Sequence, residues 1–135
     1  MRHARTAALW MCVATAATAA DTGTPLTGDE FERAVTGRTL YFNSAGQPYG
    51  VEQYLPDRKV VWAFVGDDCR KGRWYDENGL ICFVYDDNPD PQCWLFFTIT
   101  GGLAAQSVNY PDSPPLTAVE QSPEPIACLG PNVGV

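Results

Sequence analysis

The chain has 135 residues, 45% of them hydrophobic, 19% charged and 12% aromatic, with a formal net charge of −7. That profile excludes a disordered tail, a collagen-like repeat and a multi-domain enzyme, and the length fits one small domain.

Arg2 and Arg5 precede an apolar run from Ala7 to Ala14, and small residues follow up to a polar Asp21. A positive start, a short apolar core and small residues before a polar position predict a secretory signal peptide over residues 1–20, cleaved near Ala19 or Ala20. The run is far too short for a membrane anchor, and no later segment is long and apolar enough to span a bilayer. Removing 20 residues from 135 leaves 115. All 16 acidic residues stay while Lys+Arg falls from 9 to 7, so the mature net charge is −9. His3, Met1, Met11 and the odd cysteine, Cys12, leave with the signal. A chain without histidine builds neither a Ser-His-Asp triad nor a Cys-His pair, and lacks the imidazole that most catalytic zinc sites use. The acidic balance, with no basic stripe to offset it, excludes nucleic acid and an anionic membrane surface as partners.

Residues 21–26 read as a flexible leader. Thr27 to Gly37 read as a short helix, with Thr27 as cap, Glu30 three residues on, acids in the first turn and Gly37 as the stop. Phe31, Ala34 and Val35 form its only apolar face, so it should lie on something larger. Strands are predicted at 39–43, 49–54, 59–65, 70–77, 80–86, 92–100 and 103–109 from their Val, Ile, Thr and aromatic content between Gly, Pro, Asn and Asp punctuation. Asn78-Gly79 is the clearest hairpin turn, setting Glu77 opposite Leu80, Trp74 opposite Phe83 and Tyr75 opposite Cys82. Consecutive strands with short turns give an antiparallel meander. Strands 80–86 and 92–100 are apolar on both faces, so a curled barrel, the helix or the tail must cover the second face. Residues 111–135 read as a tail; six prolines in 111–131 favour extended backbone outside the ladder. The expected domain thus runs over 27–110. It is mainly β, an antiparallel meander that is curled or barrel-like, with one short N-terminal helix and an extended proline-rich C-terminal tail.

Cys69, Cys82, Cys93 and Cys128 are spaced C-x12-C-x10-C-x34-C. An exported chain with an even count reads as two disulfides with three possible connectivities; paired C-x2-C knuckles for a metal are absent. Cys82 and Cys93 flank one turn, Asp86 to Pro91, and pairing them would leave Cys69 with Cys128. On the loop-entropy argument such bridges contribute about 3 and about 4 kcal/mol. Their expected role is structural, since no C-x-x-C motif or thiolate-stabilising histidine points to redox chemistry.

Thirteen of the 15 mature aromatics lie between Tyr41 and Phe97. Their bland reading is a sheet core; the sharper one is a cavity for a small apolar ligand, with Trp62, Trp74, Tyr85 and Trp94 as candidate ligand-binding residues, joined by Phe64 and Phe83. Asp86, Asn88 and Asp90 alternate like the start of a calcium loop, but Pro91 stands where glycine is needed and Phe97 where the bidentate glutamate belongs. Asp67-Asp68 and Asp76-Glu77 read as solvated turn ends, and Arg70, Lys71 and Arg73 as the solvent face of a strand. No cofactor, metal or catalytic residue is assigned.

The motif Gly66-Asp67-Asp68-Cys69-Arg70-Lys71-Gly72-Arg73-Trp74, the run Leu80-Ile81-Cys82-Phe83-Val84-Tyr85, Cys93-Trp94 and the earlier Val35-Thr36-Gly37-Arg38-Thr39 resemble a family of small secreted alphaproteobacterial domains of unknown function. The resemblance covers about residues 27–105 and implies a periplasmic β-rich module; it implies nothing about activity. Its shared cysteines match Cys82 and Cys93, which favours that pair and leaves Cys69 with Cys128. The expected function is a non-enzymatic exported module, periplasmic or extracellular and monomeric, that binds a protein or envelope partner. The alternative is a carrier of a small apolar ligand in an aromatic-lined β cavity. A carboxylate-based hydrolase stands third.

Overall fold

In a computed structural model, residues 23–128 are described; the signal-peptide expectation for residues 1–20 lies outside them, as do Asp21, Thr22 and residues 129–135. The helix α1 spans Gly28–Val35. Its start is a reciprocal cap: the Glu30 N–H donates to Thr27 Oγ1 (3.2 Å) and the Thr27 N–H to Glu30 Oε2 (2.8 Å). Two otherwise orphaned donors are thereby satisfied. Gly37, at φ 80°, turns the chain away from the helix.

Eight antiparallel strands follow: β1 (Thr39–Ser44), β2 (Gln47–Tyr54), β3 (Lys59–Phe64), β4 (Arg70–Glu77), β5 (Leu80–Tyr85), β6 (Asn88–Ile99), β7 (Gly102–Ser107) and β8 (Leu116–Ser122). Each pairs with the next, and β8 pairs back onto β1, so the sheet is a closed barrel. Asn78 (φ 51°) and Gly79 (φ 77°) form the β4–β5 turn in the left-handed conformation that a two-residue hairpin requires. The pairs Glu77↔Leu80, Trp74↔Phe83 and Tyr75↔Cys82 are in the register that this turn imposes. Among the described residues no helix is long and apolar enough to cross a membrane.

Two elements depart from the sequence pattern. Within the segment read as tail, β8 completes the barrel, because its prolines bracket the strand instead of interrupting it: Pro114 and Pro115 precede Leu116, and Pro123 follows Ser122. Strand β6 begins at Asn88, four residues earlier than the composition suggests. Pro89 and Pro91 fit there because the β5–β6 register shifts between Phe83 and Tyr85, and an irregular stretch has no ladder donor to lose.

Closure sorts side chains by alternation. Leu40 and Phe42, Val60 and Trp62, and Ile81 and Phe83 all turn into one buried core. Helix α1 fills one end of that core. Phe31 and Val35 are fully buried, and the Phe31 ring lies 4.4 Å from Phe96, 5.0 Å from Trp74 and 5.7 Å from Tyr54 between centroids. The Leu26 N–H also donates to the Phe96 carbonyl, fixing the approach to the helix. Arg58, in a short 3-10 turn between β2 and β3, clamps helix to barrel. It bridges Glu32 (3.2 Å) and Asp29 (3.7 Å) of α1 and Asp76 (2.7 Å) of β4, and its guanidinium lies 4.3 Å from the Trp74 ring centroid. Asp57 and Arg58 hold φ of 62° and 58°, a conformation uncommon for side-chain-bearing residues.

Both disulfides bind strands or loops across the wall. Cys82 and Cys93 are directly opposite on β5 and β6. Cys128 joins Cys69 after the chain beyond β8 runs back over β1 and β2, where Thr39 Oγ1 donates to the Glu124 carbonyl (2.6 Å) and the Ile126 N–H to Gln53 Oε1 (3.3 Å). Reduction is expected to lower stability by about 2 to 5 kcal/mol per bridge; an unchanged melting curve in reductant would contradict this. The substitution Phe31→Ala, which empties the end of the barrel, is expected to cost on the order of 3 to 5 kcal/mol in denaturant unfolding. A loss under about 1 kcal/mol would show that the helix is not a plug.

Candidate functional site: a carboxyl group in an aromatic cavity

Because the meander runs up and down, the turns alternate between the two ends of the barrel. One end holds α1. The opposite end gathers the β1–β2, β3–β4, β5–β6 and β7–β8 connections, and beneath them lies a cavity of about 250 Å³. Phe42, Tyr49, Trp62, Phe64 and Trp94 give it aromatic walls, and Ala105 and Leu116 supply the flatter side from β7 and β8. Gly50 has a local reason to be glycine: a Cβ there would strike the Trp62 indole, so its absence lets that ring lie against β2.

Glu52 projects into this space from the middle of β2 and is 4% exposed. Strand alternation puts Gly50, Glu52 and Tyr54 on the inner face, and pairing sets Glu52 between Leu40 of β1 and Trp62 of β3. Two hydroxyls donate to it: Tyr85 to Oε1 (2.8 Å) and Tyr54 to Oε2 (3.2 Å). Burial pushes the Glu52 carboxyl up to about 8, and the two tyrosine hydrogen bonds pull it down only partly. Burial, reinforced by the neighbouring Glu52 charge, raises both tyrosines well above the ordinary phenol value.

Arg70 also lines the cavity. It bridges Asp87 (3.4 Å) and Asp67 (3.6 Å), with its guanidinium 5.4 Å from the Phe64 ring centroid. It therefore differs from Lys71 and Arg73, which are exposed as the strand pattern suggests.

Of the four aromatics singled out from the sequence, Trp62, Tyr85 and Trp94 line the cavity and Trp74 does not. Trp74 lies deeper, between Phe31 and Arg58, as part of the packed helix end. Phe64 and Phe83 also reach the cavity wall. Asn88 uses its side chain locally, its Oδ1 accepting the Asp90 N–H (3.1 Å), and no cluster of three or more His, Cys, Asp or Glu groups suited to a cation occurs among the described residues. The sequence pattern alone does not single out Glu52 or Arg70 as cavity residues. The available signal was the inward phase of β3: once Val60 and Trp62 face the core, the cross-strand partner of Trp62 must also face it. Comparison with family models, curated proteins and solved structures finds no match for this chain.

Glu52 makes stability fall with rising pH. Its folded value lies above the unfolded one near 4.5, so the native state holds the extra proton between those limits. The stabilisation is present in full below about 4.5 and is lost as pH rises towards about 8, by a few kcal/mol in order of magnitude. Glu30 and Asp76 are lowered, by the Thr27 hydrogen bonds and by Arg58 respectively, so their contributions fade only at more acidic pH. The variant Glu52→Gln should flatten the profile over that window and exceed the parent in stability above about pH 8. Identical profiles from urea titrations of the two proteins would refute the assignment.

Proposed function

We propose that the protein is an exported, disulfide-stapled carrier that holds one small, largely apolar ligand in the open half of its barrel. The single observation that carries this reading is the aromatic cavity of about 250 Å³ left beneath the turns after α1 has filled the opposite end. An eight-stranded barrel has an interior that side chains just fill or that holds one small ligand, and here both occur, one at each end. The volume lies just below the range for drug-sized ligands, which suits a guest on the order of ten non-hydrogen atoms. Export, with cleavage near Ala19 or Ala20 into the periplasm or beyond the cell, is supported by the two disulfides and by the character of residues 1–20.

The cavity moves the carrier reading ahead of binding to a protein or envelope partner, because it is a formed site of defined size. Among the described residues Glu52 is the one carboxyl group on the cavity wall, whereas two-carboxylate hydrolysis needs a facing pair. The family of secreted alphaproteobacterial domains remains a proposed affiliation, supported by the Gly-x-Trp and cysteine motifs alone.

The oxidised protein should bind the small apolar fluorophore naphthalene, whose size matches the cavity, at one site per chain. The variant Ala105→Trp, which fills the wall from β7, should weaken that binding by about tenfold or more while its melting transition stays cooperative. Absence of binding, or binding indifferent to the filled wall, would overturn the carrier reading.

A further inference from the structure

Glu52 is a carboxyl group inside an apolar enclosure, and such a group needs either a proton or a counter-charge. Among the described residues it receives hydrogen-bond donors but forms no ion pair. Each carboxyl oxygen receives one tyrosine hydroxyl, and among the described residues no lysine or arginine bridges it. Arg70, the one cationic side chain on the wall among the described residues, is held by Asp67 and Asp87. A carboxylate has about four acceptor positions, so the two hydroxyls leave acceptor capacity for a guest. The same cavity is lined by Trp62, Tyr49, Phe42 and Trp94, and aromatic faces attract a cation, tryptophan most strongly. A lone carboxyl group within an aromatic enclosure is the arrangement that recognises an organic cation.

We propose that the ligand is a small organic ammonium ion whose charged head is seated on Glu52, beside the Tyr54 and Tyr85 hydroxyls, and whose carbon frame lies against the cavity aromatics. This rests on the carrier reading and specifies its ligand class. The net charge of −7 for the whole chain favours the approach of such a guest over an anion.

Seating the cation displaces a proton. With burial holding the carboxyl group near 8, the empty site is mostly a neutral acid at neutral pH. Entry of an ammonium ion converts it to a carboxylate–ammonium pair, and the proton from Glu52 passes to solvent. No covalent bond to the ligand forms or breaks. Tyr54, bonded to Glu52 from the same strand, is titratable, as are the cavity-lining Tyr49 on that strand, Arg70 on β4 and Tyr85 on β5; β1, β3, β6, β7 and β8 line it only with groups that do not titrate. Tyr54 and Tyr85 are raised well above 10 and keep their protons throughout.

Three soluble probes of one shape test this on the full oxidised protein: 2-phenylethylammonium, the neutral 2-phenylethanol and the anionic phenylacetate. Calorimetry between about pH 6 and pH 9, in two buffers of different ionisation enthalpy, should show the ammonium probe binding most tightly. About one proton should be released per ligand at the acidic end, falling towards none above the carboxyl value, and affinity should drop about tenfold per pH unit below it. Glu52→Gln should weaken the ammonium probe on the order of ten- to a hundredfold, abolish proton release and leave 2-phenylethanol little changed. Its ability to take up naphthalene certifies that the variant barrel is intact. Equal or tighter binding of the alcohol or phenylacetate, or binding that weakens as pH rises, would overturn the ammonium proposal and leave a carrier whose Glu52 acts as a neutral donor. Failure of all three probes while the fluorophore still binds would also overturn it. Failure of the fluorophore as well would remove the carrier reading itself.

Discussion

The pairing of β8 with β1 is the contact on which the rest of the structure depends. Without it the sheet has two edges and two accessible faces, and nothing requires Glu52 or Trp62 to be enclosed. With it, alternation along every strand becomes a division between inside and outside, and none of the eight described strands is left as an unpaired template for another chain. The same contact explains why the prolines of the last quarter of the chain flank residues 116–122 so closely: ladder donors are needed within the strand and at neither end of it.

A barrel of this width has a packing problem that the helix solves for one half only. Phe31 and Val35 enter from the end, meet Trp74, Phe83 and Phe96, and bring the interior there to ordinary close packing. Arg58 holds the helix in place through three carboxylates and the face of Trp74, at the expense of two left-handed residues in the turn that carries it. Towards the other end the inner wall tapers to Ala105 and Leu116, and the aromatics opposite them do not close the gap. The carboxyl group of Glu52 lies where these two regimes meet, which is why it is both buried and available to the cavity.

Much of this architecture is legible in the residues. The capping pair Thr27 and Glu30 marks the helix, and Asn78-Gly79 fixes a hairpin register residue by residue, because turn chemistry is local. The strand at 116–122 is harder to see. Its evidence is non-local, since only the barrel's need for an eighth strand distinguishes it from extended tail. The candidate site divides in the same way. Trp62, Tyr85 and Trp94 are visible as an aromatic concentration, but Trp74 belongs to the same concentration and packs against the helix instead. Composition does not record which end of a barrel a residue occupies. Glu52 reads as an ordinary polar residue of an alternating strand until the β2–β3 register sets it beside Trp62.

On the proposed carrier reading, the plugged end also governs exchange. With α1 seated, a molecule in the cavity leaves by the way it came, and a second cannot enter behind it to push it out. Raising the concentration of a competitor therefore does not hasten departure. The residence time is set by the occupant's own contacts with the wall, and turnover of the contents is paced by release.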